Sequence, residues 1–124
     1  MLRCIRPNER RSTLRVAIAR AFAIRPDFLL LDEPFVSLDE AVAARLRDEL
    51  MALTTRTKVT TLLVTHHLEE AVQLADRLFF LSDRPAHIIF EKALLLPRGT
   101  RSKEDIASIS EQMRAQAAAG TGQG

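Results

Sequence analysis

The chain has 124 residues, 47% of them hydrophobic and 27% charged, which allows one modest core and is too short for two domains. Its 18 basic and 16 acidic residues give a formal net charge of +2, but the basic excess is concentrated in the arginines of the first fifteen residues. The single cysteine, Cys4, excludes an intramolecular disulfide and favours a reducing, cytosolic setting, and no apolar run approaches the roughly 18 residues of a membrane-spanning helix.

The first predicted elements are a helix and a buried strand. Apolar residues recur at helical spacing from Leu14 to Ile24, and Ser12 or Thr13 could cap the start of this helix. Pro26 ends the helix, because proline lacks an amide donor and disfavours helical backbone before it. The apolar run from Phe28 to Asp32 then predicts a buried strand.

A second helix and a second strand follow. Ser37 and Glu40 have the spacing of a capping box, and the segment after them carries one apolar stripe, formed by Val42, Leu46, Leu50 and Leu53. The polar run from Thr54 to Lys58 predicts a loop. Val59 to Thr65 is β-branched and apolar, which predicts a second buried strand.

The last third of the chain predicts a short helix, a hairpin and a final helix. Helical spacing from Leu68 to Ala75 precedes a third strand from Arg77 to Ser82, and a turn then leads to an antiparallel partner from His87 to Glu91. Ser102 with Asp105 predicts the cap of an amphipathic helix whose apolar face carries Ile106, Ile109 and Met113.

Alternating helices and strands are typical of an α/β fold in which crossover helices connect the strands of a parallel sheet, here with a C-terminal β-hairpin and helix. Ligands bind such sheets beyond the carboxyl ends of the strands. Asp32 and Glu33 end the first strand and His66 follows the second, so we expect these side chains at one edge of the sheet.

Two adjacent carboxylates at such an edge suit nucleotide hydrolysis. An aspartate there can hold Mg²⁺ through water, and the neighbouring glutamate can orient or deprotonate the attacking water. A histidine on the adjacent strand can donate to a γ-phosphate oxygen. Each feature alone has a simpler interpretation: the acidic pair can be a solvated turn, and His66 can be structural.

Three segments in this order, "FLLLDEP", "SLD" and "LLVTH", resemble the Walker B segment, D-loop and switch-histidine segment of ATP-binding-cassette (ABC) transporter ATPases. Upstream, "RVAIARAFAIRPD" is similar to the helix after the signature motif of that family. Downstream, "EEAVQLADRLFFLSDRPAHII" resembles the subgroup that imports nitrate, sulfonate and taurine. The resemblance runs from about Leu14 to Arg98 and implies a partial P-loop NTPase-like fold.

The resemblance also implies roles for individual residues. Asp32 would be the magnesium-linked carboxylate, Glu33 the catalytic base and His66 the switch histidine, while Ser37 and Asp39 would belong to the nucleotide-site loop that crosses a dimer interface. The complete domain would use ATP and Mg²⁺. It would lie in the cytoplasm, peripheral on the inner face of the plasma membrane, with a transmembrane permease, a second ATP-binding subunit and, indirectly, a periplasmic solute-binding protein as partners.

The chain departs from this family in its phosphate-binding elements. All four glycines lie at Gly99 or later, so the first 98 residues contain no GxxxxGK[ST] loop, and "NERRSTL" stands where a glycine-rich signature motif would fall. We therefore expect a C-terminal piece of an ATP-binding subunit that neither binds ATP tightly nor hydrolyses it alone. The strand from Phe28 to Leu31 should then lack a neighbour on at least one side.

From this resemblance and the predicted elements, we expect the chain to have four parts. Residues 1–13 are predicted to be a degenerate or unrelated basic start, and residues 14–99 the C-terminal part of the nucleotide-binding domain. Residues 100–119 are predicted to form the C-terminal helix, and residues 120–124 a disordered tail.

The alternative function is a non-enzymatic binding or regulatory module whose arginine-rich start contacts nucleic acid or an anionic membrane. The chain has no Trp or Tyr to stack on bases and is close to neutral overall, so we do not expect a nucleic-acid partner. The arginines can equally form a solvated helix face and a disordered start.

Overall fold

A computed structural model describes residues 2–5, 11–83 and 85–121, and within them the chain is α/β with two small sheets. The length of the chain predicted one compact unit, but the chain divides into two, Met1–His66 and His67–Gly124. The first unit contains β1 (Leu2–Ile5), α1 (Arg11–Ala23), β2 (Phe28–Asp32), α2 (Glu40–Thr57) and β3 (Thr60–Val64). The second contains α3 (Leu68–Leu74), β4 (Arg77–Leu81), β5 (Ile88–Ala93) and α4 (Lys103–Thr121).

The sheet of the first unit is parallel, in the order β1-β2-β3, and β2 has the bounds that the sequence predicted. Leu29 and Leu31 of β2 have no exposed surface, as expected for a central strand. The expectation that Phe28 to Leu31 would lack a neighbour is wrong, because β1 pairs with β2 on the side away from β3. Within the described residues, β1 and β3 are the edge strands of this sheet, and each has a neighbour on one side only.

Helix α1 begins three residues before the predicted start, at Arg11. Ser12 and Thr13 therefore lie inside the helix and do not cap it. Ile18 and Ala21, two of the predicted small or apolar positions, are buried. The segment taken as a basic start of residues 1–13 thus supplies β1 and the first turn of α1, while residues 1 and 6–10 lie outside the described part of the chain.

Helix α2 differs from the prediction at both ends. Its N-cap is Asp39, two residues after the predicted cap Ser37, and the helix continues through Thr57 where a loop from Thr54 was expected. The Thr54 hydroxyl is buried and donates to the Leu50 carbonyl oxygen at 3.0 Å, so this polar residue is accommodated inside the helix. Lys58, in the left-handed region with φ 56°, ends α2.

In the second unit, β4 and β5 form the predicted antiparallel hairpin. The third predicted strand does not join the parallel sheet, because β4 pairs only with β5 within the described residues. Alternation along β4 turns Leu78 into a core with Val72 and Met113. The rings of Phe80 and Phe90 stack across the hairpin with their centroids 4.5 Å apart.

The predicted cap of α4 is confirmed: the Ser102 hydroxyl accepts from the Asp105 N–H at 3.0 Å, and the Asp105 carboxylate accepts from the Ser102 N–H at 2.9 Å. The adjacent Arg101 donates to the carbonyl oxygens of Val72 and Ala75, both at 2.7 Å. Burial of this guanidinium lowers the pKa of Arg101. These bonds satisfy carbonyl groups at the C-terminal end of α3.

Helix α4 continues through Thr121, two residues into the segment predicted to be a disordered tail, and residues 122–124 lie outside the described part. Among the described residues, no helix combines the length and the apolar character that crossing a membrane requires.

Candidate functional site

The candidate site lies where β2 and β3 end side by side. Asp32, the last residue of β2, is in register with Val64, the last residue of β3. The Glu33 N–H donates to the Val64 carbonyl oxygen at 2.8 Å, which continues the ladder one residue beyond β2. The shared edge expected for these residues is therefore present.

Glu33 and His66 are in direct contact at this edge. Oε1 of Glu33 accepts a hydrogen bond from Nδ1 of His66. Because an ionised carboxylate can only accept, this pair requires a proton on Nδ1 and leaves Nε2 available to another group. The Glu33 side chain is only 15% exposed, whereas that of His66 is 90% exposed, so the histidine forms the outer member of the pair.

The backbone of Glu33 is left-handed, with φ 49°. This conformation costs a residue with a Cβ about 1–2 kcal/mol, and it persists only where the surrounding structure holds it. The hydrogen bonds from its N–H to Val64 and from His66 to its carboxylate provide that restraint. The sequence gave no sign of this left-handed backbone, because residues with positive φ are most often glycine and this residue is a glutamate.

Asp32 is partly buried and is the last residue of β2, at the same edge. Among the described residues, no group of three or more His, Cys, Asp or Glu side chains is placed to hold a metal ion. A Mg²⁺ ion bound mainly by water and phosphate oxygens takes one or two protein carboxylates, which a single aspartate can supply.

Ser37 and Asp39 lie in the exposed segment between β2 and α2. Oδ1 of Asp39 accepts from the Val42 N–H at 3.0 Å, so this carboxylate caps α2. Phe35, in the same segment, is buried and only 4% exposed. Phe35 was not among the candidate residues, although it is the one aromatic residue of the sequence between β2 and α2, which was a usable signal.

The arginine-rich start is described only in part. Arg15 forms an exposed ion pair with Glu49 at 2.5 Å, whereas the side chains of the arginines within residues 1–13 lie outside the described part. The basic binding module stays a prediction.

Comparison with known proteins shows what the chain is similar to. No protein-family model matches the chain. Curated proteins do match, and they are import ATP-binding proteins at 43–51% identity. The resemblance noted from the sequence is thus confirmed, and the chain is homologous to part of an ABC transporter ATP-binding subunit.

Three relatives illustrate the match. The bicarbonate transport ATP-binding protein CmpC of Synechocystis is 51% identical over 71 residues, which cover 57% of this chain and 11% of the relative. The nitrate import ATP-binding protein NrtD of Synechococcus elongatus is 46% identical over 77 residues, 62% of this chain and 28% of the relative. The aliphatic sulfonates import ATP-binding protein SsuB 1 of Pseudomonas aeruginosa is 45% identical over 92 residues, 73% of this chain and 37% of the relative. The chain therefore spans well under half the length of these relatives.

Proposed function

We propose that this chain supplies the water-activating part of an ABC importer ATPase, in a P-loop NTPase-like domain completed by residues that the chain does not contain. The observation that carries the proposal is the Glu33–His66 contact at the carboxyl edge of a parallel sheet, in a chain homologous to import ATP-binding proteins.

In the complete domain, bound MgATP supplies the γ-phosphoryl group that water attacks. Asp32 would hold the hydrated Mg²⁺, and Glu33 would orient the water and accept its proton at a carboxylate oxygen. His66 holds the Glu33 carboxylate through Nδ1, and its Nε2 would accept a hydrogen bond in the neutral ring and donate one to a phosphate oxygen in the imidazolium form. Ser37 and Asp39, in the exposed segment before α2, would face a second ATP-binding subunit.

The partners and location follow the same proposal. The complete subunit would lie in the cytoplasm against a transmembrane permease, work indirectly with a periplasmic solute-binding protein, and drive import of small anions of the nitrate, bicarbonate or sulfonate type. The names of the relatives support this range of solutes. The chain by itself is proposed to be inactive, because its first 98 residues lack a glycine-rich loop to hold phosphates.

A chimera tests the catalytic roles directly. The sulfonate relative is rebuilt with this chain in place of its own 92-residue matching segment, and ATP turnover is measured. We expect Glu33→Gln to lower the turnover about 10²–10⁴-fold, because it removes the proton acceptor. Glu49→Gln makes the same change in an exposed α2 ion pair and should leave turnover within about twofold.

Two results would contradict the proposal. An active chimera in which Glu33→Gln hydrolyses ATP as fast as Glu49→Gln would remove Glu33 from the mechanism. Micromolar MgATP binding by the purified 124-residue chain, with turnover that Glu33→Gln abolishes, would show that the chain needs no separate phosphate loop.

A further inference from the structure

The Glu33–His66 contact decides which ring nitrogen of His66 carries the proton of the neutral ring. Oε1 of the Glu33 carboxylate accepts from Nδ1 of His66, so the neutral ring has its proton on Nδ1 and a lone pair at Nε2. An ionised phosphate oxygen also only accepts hydrogen bonds. The neutral ring therefore offers such an oxygen no donor at Nε2 while the contact with Glu33 is kept.

The charges near this ring are mainly negative. The end of β2 beside His66 carries two carboxylates, those of Asp32 and Glu33. The Glu33 side chain is only 15% exposed, so water and salt screen its charge poorly. An anion placed beside this carboxylate is repelled unless a positive charge lies between the two. The ionisable residues that follow along the chain are His67, Glu69 and Glu70.

An imidazolium at His66 removes both obstacles. Its Nδ1–H keeps the hydrogen bond to Glu33, and its Nε2–H becomes a donor suited to a phosphate oxygen. The positive charge strengthens both hydrogen bonds, because charge-assisted bonds are the stronger ones. Contact with a phosphate, with the Glu33 contact kept, thus requires one more proton on the ring.

We propose that binding of a nucleoside triphosphate to the complete domain is coupled to uptake of one proton by His66, whose Nε2 then donates to the terminal phosphate while Nδ1 stays on Glu33. The coupling rests on the proposed function and adds a pH dependence to nucleotide binding at the same site. By linkage, uptake of one proton weakens binding about tenfold for each unit that the pH rises, where the unbound ring is neutral. A nucleoside diphosphate lacks the terminal phosphate and should bind without this proton.

Nitrogen NMR of the unaltered 124-residue chain gives the first test, which does not depend on ATPase activity. At about pH 8.5, where histidine is ordinarily neutral, the His66 ring should carry its proton on Nδ1. Glu33→Gln keeps an acceptor oxygen and should preserve this tautomer, whereas Glu33→Ala removes the acceptor and should not. A proton on Nε2 in the unaltered chain would overturn the proposal.

Nucleotide affinity of the chimera with the sulfonate relative gives the second test. MgATPγS, a slowly hydrolysed triphosphate, should bind about tenfold more weakly when the pH rises from about 7.5 to about 8.5, and MgADP less than about twofold more weakly. His66→Gln can still donate to Glu33 but cannot titrate, so the two nucleotides should then show the same pH dependence. His67→Gln makes the same change at the next residue and should keep the difference.

Equal pH dependence of MgATPγS and MgADP binding would overturn the proposal, and this comparison on the unaltered chimera needs no variant. A difference that persists in His66→Gln, or that disappears in a His67→Gln variant shown to be folded by circular dichroism, would also overturn it. If Glu33→Gln lowers turnover and the pH dependence is absent, the proposed function stands and the coupling fails. A chimera that binds no MgATPγS would overturn both.

Discussion

Truncating Asp39 tests whether this residue, and not Ser37, caps α2. The Asp39 carboxylate accepts from the Val42 N–H at 3.0 Å, and its backbone has the extended conformation of a cap, φ −69° and ψ 159°. Asp39→Ala removes the acceptor and the negative charge together. Asp39→Asn keeps an acceptor oxygen and removes only the charge, while Ser37→Ala removes the hydroxyl that the sequence pattern favoured.

The expected losses of stability follow from the capping hydrogen bond and from the interaction of the carboxylate with the helix dipole. Loss of a side-chain cap costs about 0.5–2 kcal/mol, and a carboxylate at an exposed helix N-terminus contributes about 0.3–1 kcal/mol through the helix dipole. We therefore expect Asp39→Ala to lower the free energy of unfolding by about 1–2 kcal/mol and Asp39→Asn by about 0.3–1 kcal/mol. For a unit of this size, each kcal/mol lowers Tm by about 4–8 °C.

Thermal unfolding followed by circular dichroism at low salt measures these differences. Ser37→Ala should cost less than half as much as Asp39→Ala. An Asp39→Asn variant that loses as much stability as Asp39→Ala would show that the charge, and not the hydrogen bond, is the main contribution. A Ser37→Ala loss equal to that of Asp39→Ala would refute the assignment of the cap.

Three further predictions concern the second unit. Ser110 is fully buried in α4, and its Oγ has no hydrogen-bond partner among the described residues. Ser110→Ala should therefore raise the free energy of unfolding, measured in urea, by about 1 kcal/mol. A lower free energy of unfolding would contradict this prediction. Arg101→Met should lower it by about 1.5–3 kcal/mol, because two carbonyl groups at the end of α3 lose their donor, and an unchanged urea midpoint would exclude that role. The hydrogen bond from Arg114 lowers the pKa of Glu69 below its usual value of 4.5. The contribution of this ion pair to the free energy of unfolding is therefore present above pH 4.5 and is lost as the pH falls through the lowered pKa of Glu69. Glu69→Gln should lower the free energy of unfolding by about 0.2–1 kcal/mol at neutral pH, by less in high salt, and not at all in strong acid.

Local patterns predicted the features that depend on neighbouring residues. The bounds of β2 follow from an apolar run between Pro26 and the acidic pair, and the α4 cap follows from the spacing of Ser102 and Asp105. The same approach placed the α2 cap two residues too early, because Ser37 and Asp39 both lie before the helix and both residue types cap well.

The shared edge of three candidate residues was predictable from the sequence, but the backbone geometry at that edge was not. The ends of β2 and β3 indicated that Asp32, Glu33 and His66 would meet at one edge, as the register and the Glu33–His66 contact show. The left-handed backbone of Glu33 could not be anticipated, because bonds to Val64 and His66, both more than thirty positions later, stabilise it.

The sequence by itself determined the types and the order of the elements from α1 to α4, although not β1, because helical and strand periods, caps and turns are properties of short segments. Only the tertiary structure decided that β1 pairs with β2 and that, among the described residues, β4 and β5 form a second sheet of their own. Strand pairing is formed by backbone groups common to almost every residue, so the choice of neighbour depends on which distant segments pack together and leaves little trace in the local sequence.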